Sequence, residues 1–406
     1  MRFDNLLVIS AVAALIPLLL GLAPRLPVPG PVVEIIAGIV LGPAVLGVVH
    51  VDDTVRAASL LGLGFLLFLA GLEIDVRQFR GAQGRRTFDG LAITVALGLA
   101  AGFGLQFFGL VKNPLLVGIA LMATSLGLVV PILKDAGVAD RPIGQLIIAG
   151  ASAGEITAVV LLSVFFSEHG GALGGRLLLL ALLGLFAITV VMLIRGAERS
   201  MRLGDVINRL ADTTAQIRVR LAVLLLIGLA AIAANLGFEA ILGAFIAGAL
   251  LRVVDPDAER THPKFRVKLE GIGFGFLIPV FFVTSGITFD LHQLTGHPAT
   301  LLRVPLFLAL LLIVRGVPAL LYRSSLTGRE TVAAAFLQAS SLPVLVAASQ
   351  IGLAVGAITA ANAAALVAAG LVSVLVYPPL ALNTLRSVPR RPTPQLDPAT
   401  DKVRAA

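Results

Sequence analysis

The chain has 406 residues, 58% of them hydrophobic and 13% charged, with a mean hydropathy of +1.00; soluble domains carry about 25% charged residues, so a water-soluble catalytic core is excluded. There is no cysteine, which removes disulfides and thiolate metal sites. The net charge of +8 comes from bases lying between apolar runs, where they answer to anionic lipid and topology rather than to nucleic acid.

About 20 apolar residues cross a bilayer. Segments of that kind run over 5–23, 32–49, 55–74, 88–110, 114–134, 142–166 and 177–194, then 221–235, 238–254, 269–289, 301–321, 331–351 and 357–382. The first reads as a retained helix: Asp4 sits in the short leading stretch and a second apolar run follows at once. Between the two, PRLPVPGP is a rigid break, because its prolines supply no helix donors. Residues 195–220 read as a polar cytoplasmic linker carrying a surface amphipathic helix. Residues 383–406 read as a polar, disordered tail.

Charge fixes the orientation. With the N-terminus outside, 25 of the 31 Lys and Arg residues fall in loops on the inside, five fall outside, and Arg315 lies within a span. That bias supports thirteen spans and a cytoplasmic C-terminus at a multi-pass cell-membrane protein.

The sequence also repeats at an offset near 215 residues. GFLLFLAGLEIDVRQF, from Gly64, returns as GFLIPVFFVTSGITFDLHQL, from Gly275, so that Gly71 matches Gly286 and Asp75 matches Asp290. Thr124 and Ser125 match Ser340 and Ser341; AGIVLG of the second span matches AGALLR of the ninth. Spans one to six (5–166) therefore correspond to eight to thirteen (221–382), with 177–194 as a linker helix. Seven spans separate equivalent elements, so the copies are inverted across the membrane, as in secondary transporters. The expected fold is an all-α polytopic membrane protein of about 13 transmembrane helices in two inverted six-helix repeats.

The sixth span holds a single acid near its middle, Glu155, which is costly there unless it faces a partner, an ion or water. Ser152 shares its helical face, and Gly150, Ala151, Ala153 and Gly154 leave room for a hydrated ion. Glu155 is expected to bind a proton and a cation alternately; the competing reading is a polar lock between helices. The fifth and twelfth spans place Thr124, Ser125, Ser340 and Ser341 at mid-membrane, close to Gly127, Pro131 and Pro343. Proline frees a carbonyl and glycine eases unwinding, so these spans are expected to be crossed, discontinuous helices beside the ion, with Na+ or K+ held by Glu155 and Thr124; the competing reading is ordinary kinked-helix packing. Gln338 supplies a neutral ligand or a hydrogen bond. Arg315 either holds a fixed electrostatic place or snorkels. Glu73, at the inner end of the third span, either closes a salt-bridged boundary or lines a cytoplasmic funnel. Glu34 is expected to cap the second helix. The five histidines lie in loops and share no face. No phosphate loop GxxxxGK[ST] and no HExxH occurs, so no enzyme activity and no cofactor are expected.

The strings EIIAGIVLGP, FLLFLAGLEIDVRQF, ATSLGLVVPIL, GAFIAGALL and PVFFVTSGITFDL resemble the membrane domain of the monovalent cation:proton antiporter-2 family, the group of NapA-like sodium and Kef-type potassium exchangers. The resemblance spans 5–382. It implies a homodimer in membrane lipid, a dimerisation bundle beside a mobile core, and elevator-like exchange of Na+ or K+ for H+. Sodium-exchanging relatives carry an Asp-Asp or Asn-Asp pair where this chain has Gly154-Glu155, and the tenth-helix lysine of electrogenic relatives is absent. One carboxylate makes electroneutral exchange the expectation. No nucleotide-binding regulatory domain of the Kef kind is expected in cis. The alternatives are a gated channel or uniporter, another ion-coupled solute carrier, and a non-transporting scaffold or sensor.

Overall fold

The computed structural model describes residues 3–22, 29–74, 79, 81–166, 173–198, 210, 213–255, 263–296 and 298–386. Among them, eleven helices are long and apolar enough to cross a membrane, and two further apolar helices are shorter. The chain is an all-α, multi-pass membrane protein.

The first four helices are α1 (Asp4–Leu22), α2 (Gly30–Leu41), α3 (Asp53–Leu72) and α4 (Gly81–Phe107). A span in two halves follows, α5 (Pro114–Met122) and α6 (Leu126–Asp135), then α7 (Pro142–Phe165) and α8 (Leu173–Glu198). The second half opens with α9 (Ile217–Asn235) and α10 (Ala240–Val254). Next come α11 (Pro263–Ile272) and α12 (Ile278–Ile287), joined by a π turn over Gly273–Leu277, and the short α13 (Leu291–Thr295). Helix α14 (Pro298–Leu311) continues through a π turn (Leu312–Gly316) and a 3-10 stretch (Val317–Ser324). A second broken span, α15 (Gly328–Gln338) and α16 (Pro343–Ala354), precedes α17 (Ala360–Arg386).

Several helices outrun the apolar windows, because a helix continues past the hydrocarbon where polar side chains can reach water. Thus α9 includes Arg218 and Arg220, and α17 extends into the stretch read as tail. The expected amphipathic helix of the linker falls largely, and the tail beyond Arg386 wholly, outside the described residues; so do Asp75, Arg77, Arg80 and three of the histidines.

Packing sorts the helices into two groups. In one, α2 lies on α12, α3 on α10, and α9 on α10. In the other, α4 packs along α5 and α7, while α17 packs against α14, α15 and α16. The first group carries a repeat-like signature. Helices α2 and α12 touch through Gly38 and Gly286: a Cβ on Gly38 would overlap the carbonyl oxygen of Val283, and one on Gly286 that of Ile35. Helices α3 and α10 touch through Gly71 and Gly248 in the same way, against the carbonyls of Phe245 and Phe68. Those four are the glycines that the sequence alignment pairs, Gly38 with Gly248 and Gly71 with Gly286. Small residues permit this backbone contact, which is how apolar helices gain dispersion energy inside lipid.

Candidate ion-binding site

The two broken spans meet at their breaks. Residues 123–125 and 340–342 leave the helix, Ala123 and Ser125 in extended conformation. Pro343, at the first turn of α16, has no N–H to donate backward. The exposed backbone groups are paired across the gap: Ser125 N–H donates to the Ser340 carbonyl at 3.0 Å, and Thr124 Oγ1 donates to the Gln338 carbonyl at 2.5 Å. From α17, Ser373 Oγ accepts the Ser341 N–H at 3.2 Å. Irregular backbone at membrane depth survives only when so supplied.

Glu155 on α7 is 3% exposed, and its Oε2 accepts the N–H of Leu126, the first residue of α6, at 3.1 Å. The carboxylate therefore lies at the positive end of a half-helix, where free amides favour an anion. It makes no other hydrogen bond and no ion pair among the described residues.

Arg315 is 2% exposed and does not snorkel. It sits in the π turn after α14, a local widening frequent at functional positions. Its Nε donates to Thr124 Oγ1 at 2.6 Å, Nη1 to Thr94 Oγ1 at 3.2 Å, and Nη2 to the Gly150 carbonyl at 2.8 Å. One guanidinium thus ties α4, the α5–α6 break and α7 to the α14 span, without a direct ion pair to Glu155. The fork of five donors makes this possible; a lysine has no such geometry.

The remaining candidates sort by position. Gln338 donates from Nε2 to the Tyr322 hydroxyl at 2.8 Å, and Ser340 Oγ donates to the Phe336 carbonyl at 3.2 Å, so both side chains are committed within the break. Ser341 Oγ is buried without a partner. Ser152 donates to the Ile148 carbonyl of its own helix at 2.8 Å and does not touch Glu155. Glu73 stands apart from the break: it pairs with Arg266, which also bonds Glu270 at 2.7 Å, and it lines a cavity of about 270 Å3. Glu34 is not a cap. Pro29 occupies that position, and Glu34 is the fifth residue of α2, buried, with no hydrogen bond or ion pair among the described residues.

Thr94, Tyr322 and Ser373 belong to this network and escaped sequence reasoning, while Gly150, expected to leave room for an ion, also accepts from Arg315 through its carbonyl. Each is an isolated small or polar residue in an apolar run, and its partner is more than 15 residues away. The one available signal was Tyr322, one of two tyrosines in the chain. Among the described residues, no three or more of His, Asp and Glu come together in a way that could hold a resident metal.

A family model described as "Sodium/hydrogen exchanger, transmembrane" matches residues 10–382. The chain is 34% identical over 363 residues to the Bacillus subtilis protein YjbQ, covering 86% of this chain and 57% of the relative. It is 30% identical over 354 residues to the Na(+)/H(+) antiporter NhaS5 of a Synechocystis strain, covering 84% of this chain and 47% of that protein. The chain thus spans about half the length of these relatives. Among solved structures, the sodium proton antiporter MjNhaP1 of Methanocaldococcus jannaschii superposes with a TM-score of 0.65 at 19% identity, over 94% of this chain and 98% of the other. That likeness is one of fold.

Proposed function

The chain belongs to the sodium/hydrogen exchanger family of transmembrane proteins, and from that premise we propose that it is a secondary active transporter exchanging Na+ or K+ for H+. Glu155 is the group that both ions use. A proton neutralises the carboxylate covalently and a cation does so electrostatically; each excludes the other, which couples the two movements. Cation and proton share one acid, so one charge crosses each way and the exchange is electroneutral.

The observation that carries this reading is a buried acid with one oxygen held by a half-helix amide and no direct ion pair among the described residues. Such a group is stable at membrane depth only when something mobile completes it. Thr124 and Ser125 at the break, and Ser152 one turn along α7, supply neutral oxygens close to the cation. Arg315, Gln338, Ser340 and Ser341 keep the crossed segments in register.

The finer architecture fits the antiporter-2 branch. In this reading the eleven long and two short apolar helices are thirteen spans, and the distribution of bases puts the N-terminus outside and the C-terminus in the cytoplasm. The glycine-packed group, α1–α3 with α9–α12, is the dimerisation side of a homodimer; α4–α7 and α14–α17 form the core that moves past it. The finding that Gly38/Gly286 and Gly71/Gly248 repeat one contact supports an inverted repeat.

Proteoliposomes holding the purified chain test the reading. An imposed Na+ or K+ gradient is expected to move internal pH without changing membrane potential. Glu155→Gln keeps the shape and the Leu126 contact but removes the charge, and it is expected to abolish pH-coupled flux while the melting temperature holds. Unchanged flux in that variant would falsify the role of Glu155.

A further inference from the structure

The α14 span grips one point of α7 twice. From its π turn, Arg315 Nη2 donates to the Gly150 carbonyl at 2.8 Å. From its 3-10 stretch, Tyr322 lays its hydroxyl against the same glycine: a Cβ on Gly150 would lie 2.6 Å from that oxygen and 2.7 Å from Gln338 Nε2. A residue without a side chain is what lets these groups converge.

The same groups close a ring. Gln338 Nε2 donates to the Tyr322 hydroxyl at 2.8 Å. The backbone carbonyl of Gln338 has no partner further along the helix, because α15 ends there, and it accepts from Thr124 Oγ1 at 2.5 Å. Thr124 Oγ1 in turn accepts from Arg315 Nε at 2.6 Å, and Arg315 returns to Gly150. The circuit runs through α7, the α14 span, α15 and the α5–α6 break. Every link is a hydrogen bond except the last, where the Tyr322 hydroxyl packs on Gly150. The four side chains are buried, so water does not replace a link that is cut.

Two features single out the Tyr322 link. The first is that packing does not need the hydroxyl. The aromatic ring belongs to an apolar cluster with Ile147, Ala151 and Leu337, a place that phenylalanine would fill as well. What the oxygen adds is a fixed acceptor for the last residue of α15. The second is that Gln338 is held at both ends, by its side chain to Tyr322 and by its carbonyl to Thr124. Movement at one end is passed to the other. The circuit therefore sets where the Thr124 oxygen stands relative to α7, the helix that carries Glu155.

We propose that Tyr322 is a positioning and specificity-determining residue for the exchange: through Gln338 its hydroxyl holds the Thr124 oxygen at a fixed distance from Glu155, and that fixed distance separates Na+ from K+. Tyr322 itself does not touch the ion. A rigid set of oxygens suits one ionic radius, whereas a set free to adjust accepts both. The proposal rests on the exchange reading above and deepens it by naming the residue that tunes the choice of cation.

The test uses the full chain in proteoliposomes, with KM and maximal rate for Na+ and for K+ taken per folded molecule, beside the melting temperature. Tyr322→Phe removes one oxygen and keeps the ring. It strands the buried Gln338 amide, so a lower melting temperature follows whatever the role of the hydroxyl. The proposal adds that KM for the preferred ion rises severalfold with the maximal rate kept, and that the ratio of the two KM values moves toward one. The double variant Tyr322→Phe with Gln338→Met removes the stranded amide together with its acceptor. It is expected to regain melting temperature while keeping the altered ratio, because the tether of the Thr124 oxygen stays cut. A tyrosine that only stabilises the fold gives the opposite result: discrimination returns with stability. Gln338→Met alone reads the link from its other end and is expected to shift the ratio in the same direction, however well Tyr322→Phe folds. A parent that does not separate the two ions, an unchanged ratio in either single variant, or a ratio that returns to the parent value in the double variant overturns the proposal. Absence of exchange in the parent protein would instead overturn the functional reading on which it stands.

Discussion

The guanidinium of Arg315 packs against the backbone of Gly154 so closely that a Cβ on that residue would lie 2.7 Å from Nη1 and 2.8 Å from Cζ and Nη2. The glycine beside Glu155 is therefore the seat of an internal cation. Gly154→Ala forces the guanidinium away from partners on three elements. Overpacking of this kind costs about 1–3 kcal/mol, and the guanidinium cannot shift without lengthening its bonds to Thr94, Thr124 and Gly150. We expect a lower melting temperature and strongly reduced exchange. Pairing it with Arg315→Ala, which removes the clashing group, should return part of the lost stability without returning transport.

Thr124 Oγ1 does two jobs at once: it donates to the Gln338 carbonyl and accepts from Arg315 Nε. Thr124→Val keeps the volume and removes both bonds, stranding a buried carbonyl and a buried charged donor at a cost of about 1–3 kcal/mol for each neutral group and more for the charged one. Thr124→Ser keeps the hydroxyl. The serine variant is expected to retain most exchange and the valine variant to lose it, with melting temperatures falling in the same order.

Asp52 gives a pH-dependent expectation outside the membrane. Its carboxyl caps α3 through the Val55 N–H at 2.9 Å and accepts from Asn5 on α1 at 3.0 Å, and these bonds hold it below the ordinary value of 3.8. A lowered folded-state value contributes stability that is present above the ordinary carboxylate pKa and is lost as pH falls through the lowered one. Melting temperature followed from about pH 6 to about pH 2 should therefore fall more in the parent than in Asp52→Asn, whose cap does not titrate.

The apolar runs, the interruption of the twelfth span before Pro343 and the lone Glu155 were legible in the sequence, because each departs from its surroundings in composition; the fifth span breaks instead at residues 123–125, and Pro131 lies inside α6. What surrounds Glu155 was not legible. Thr94 and Tyr322 lie on other helices, and only the folded chain brings them to Arg315 and Gln338. Helical spacing puts Ser152 on the face of Glu155 but does not report that its hydroxyl donates to the Ile148 carbonyl, a bond a serine in a membrane helix makes locally. Glu34 was misread because capping was argued from nearness to a helix start, whereas the Gly30-Pro31 turn starts α2 without a side-chain cap.

The glycine contacts of the first helix group permit a matched pair of measurements. Gly38 and Gly248 occupy corresponding places in the two halves, and a Cβ on either would overlap a carbonyl oxygen, that of Val283 or that of Phe68. A carbonyl in a helix cannot rotate away as a side chain can, so the helices themselves must separate and lose dispersion contacts along their crossing. Gly38→Ala and Gly248→Ala are each expected to lower the melting temperature by similar amounts, because they break equivalent contacts. If α2, α3, α10 and α12 form a fixed support past which the core moves, the surviving folded fraction should exchange with unchanged KM, since no residue at the break has been touched. A change in KM from Gly248→Ala, measured per folded molecule, would show instead that this group takes part in forming the site.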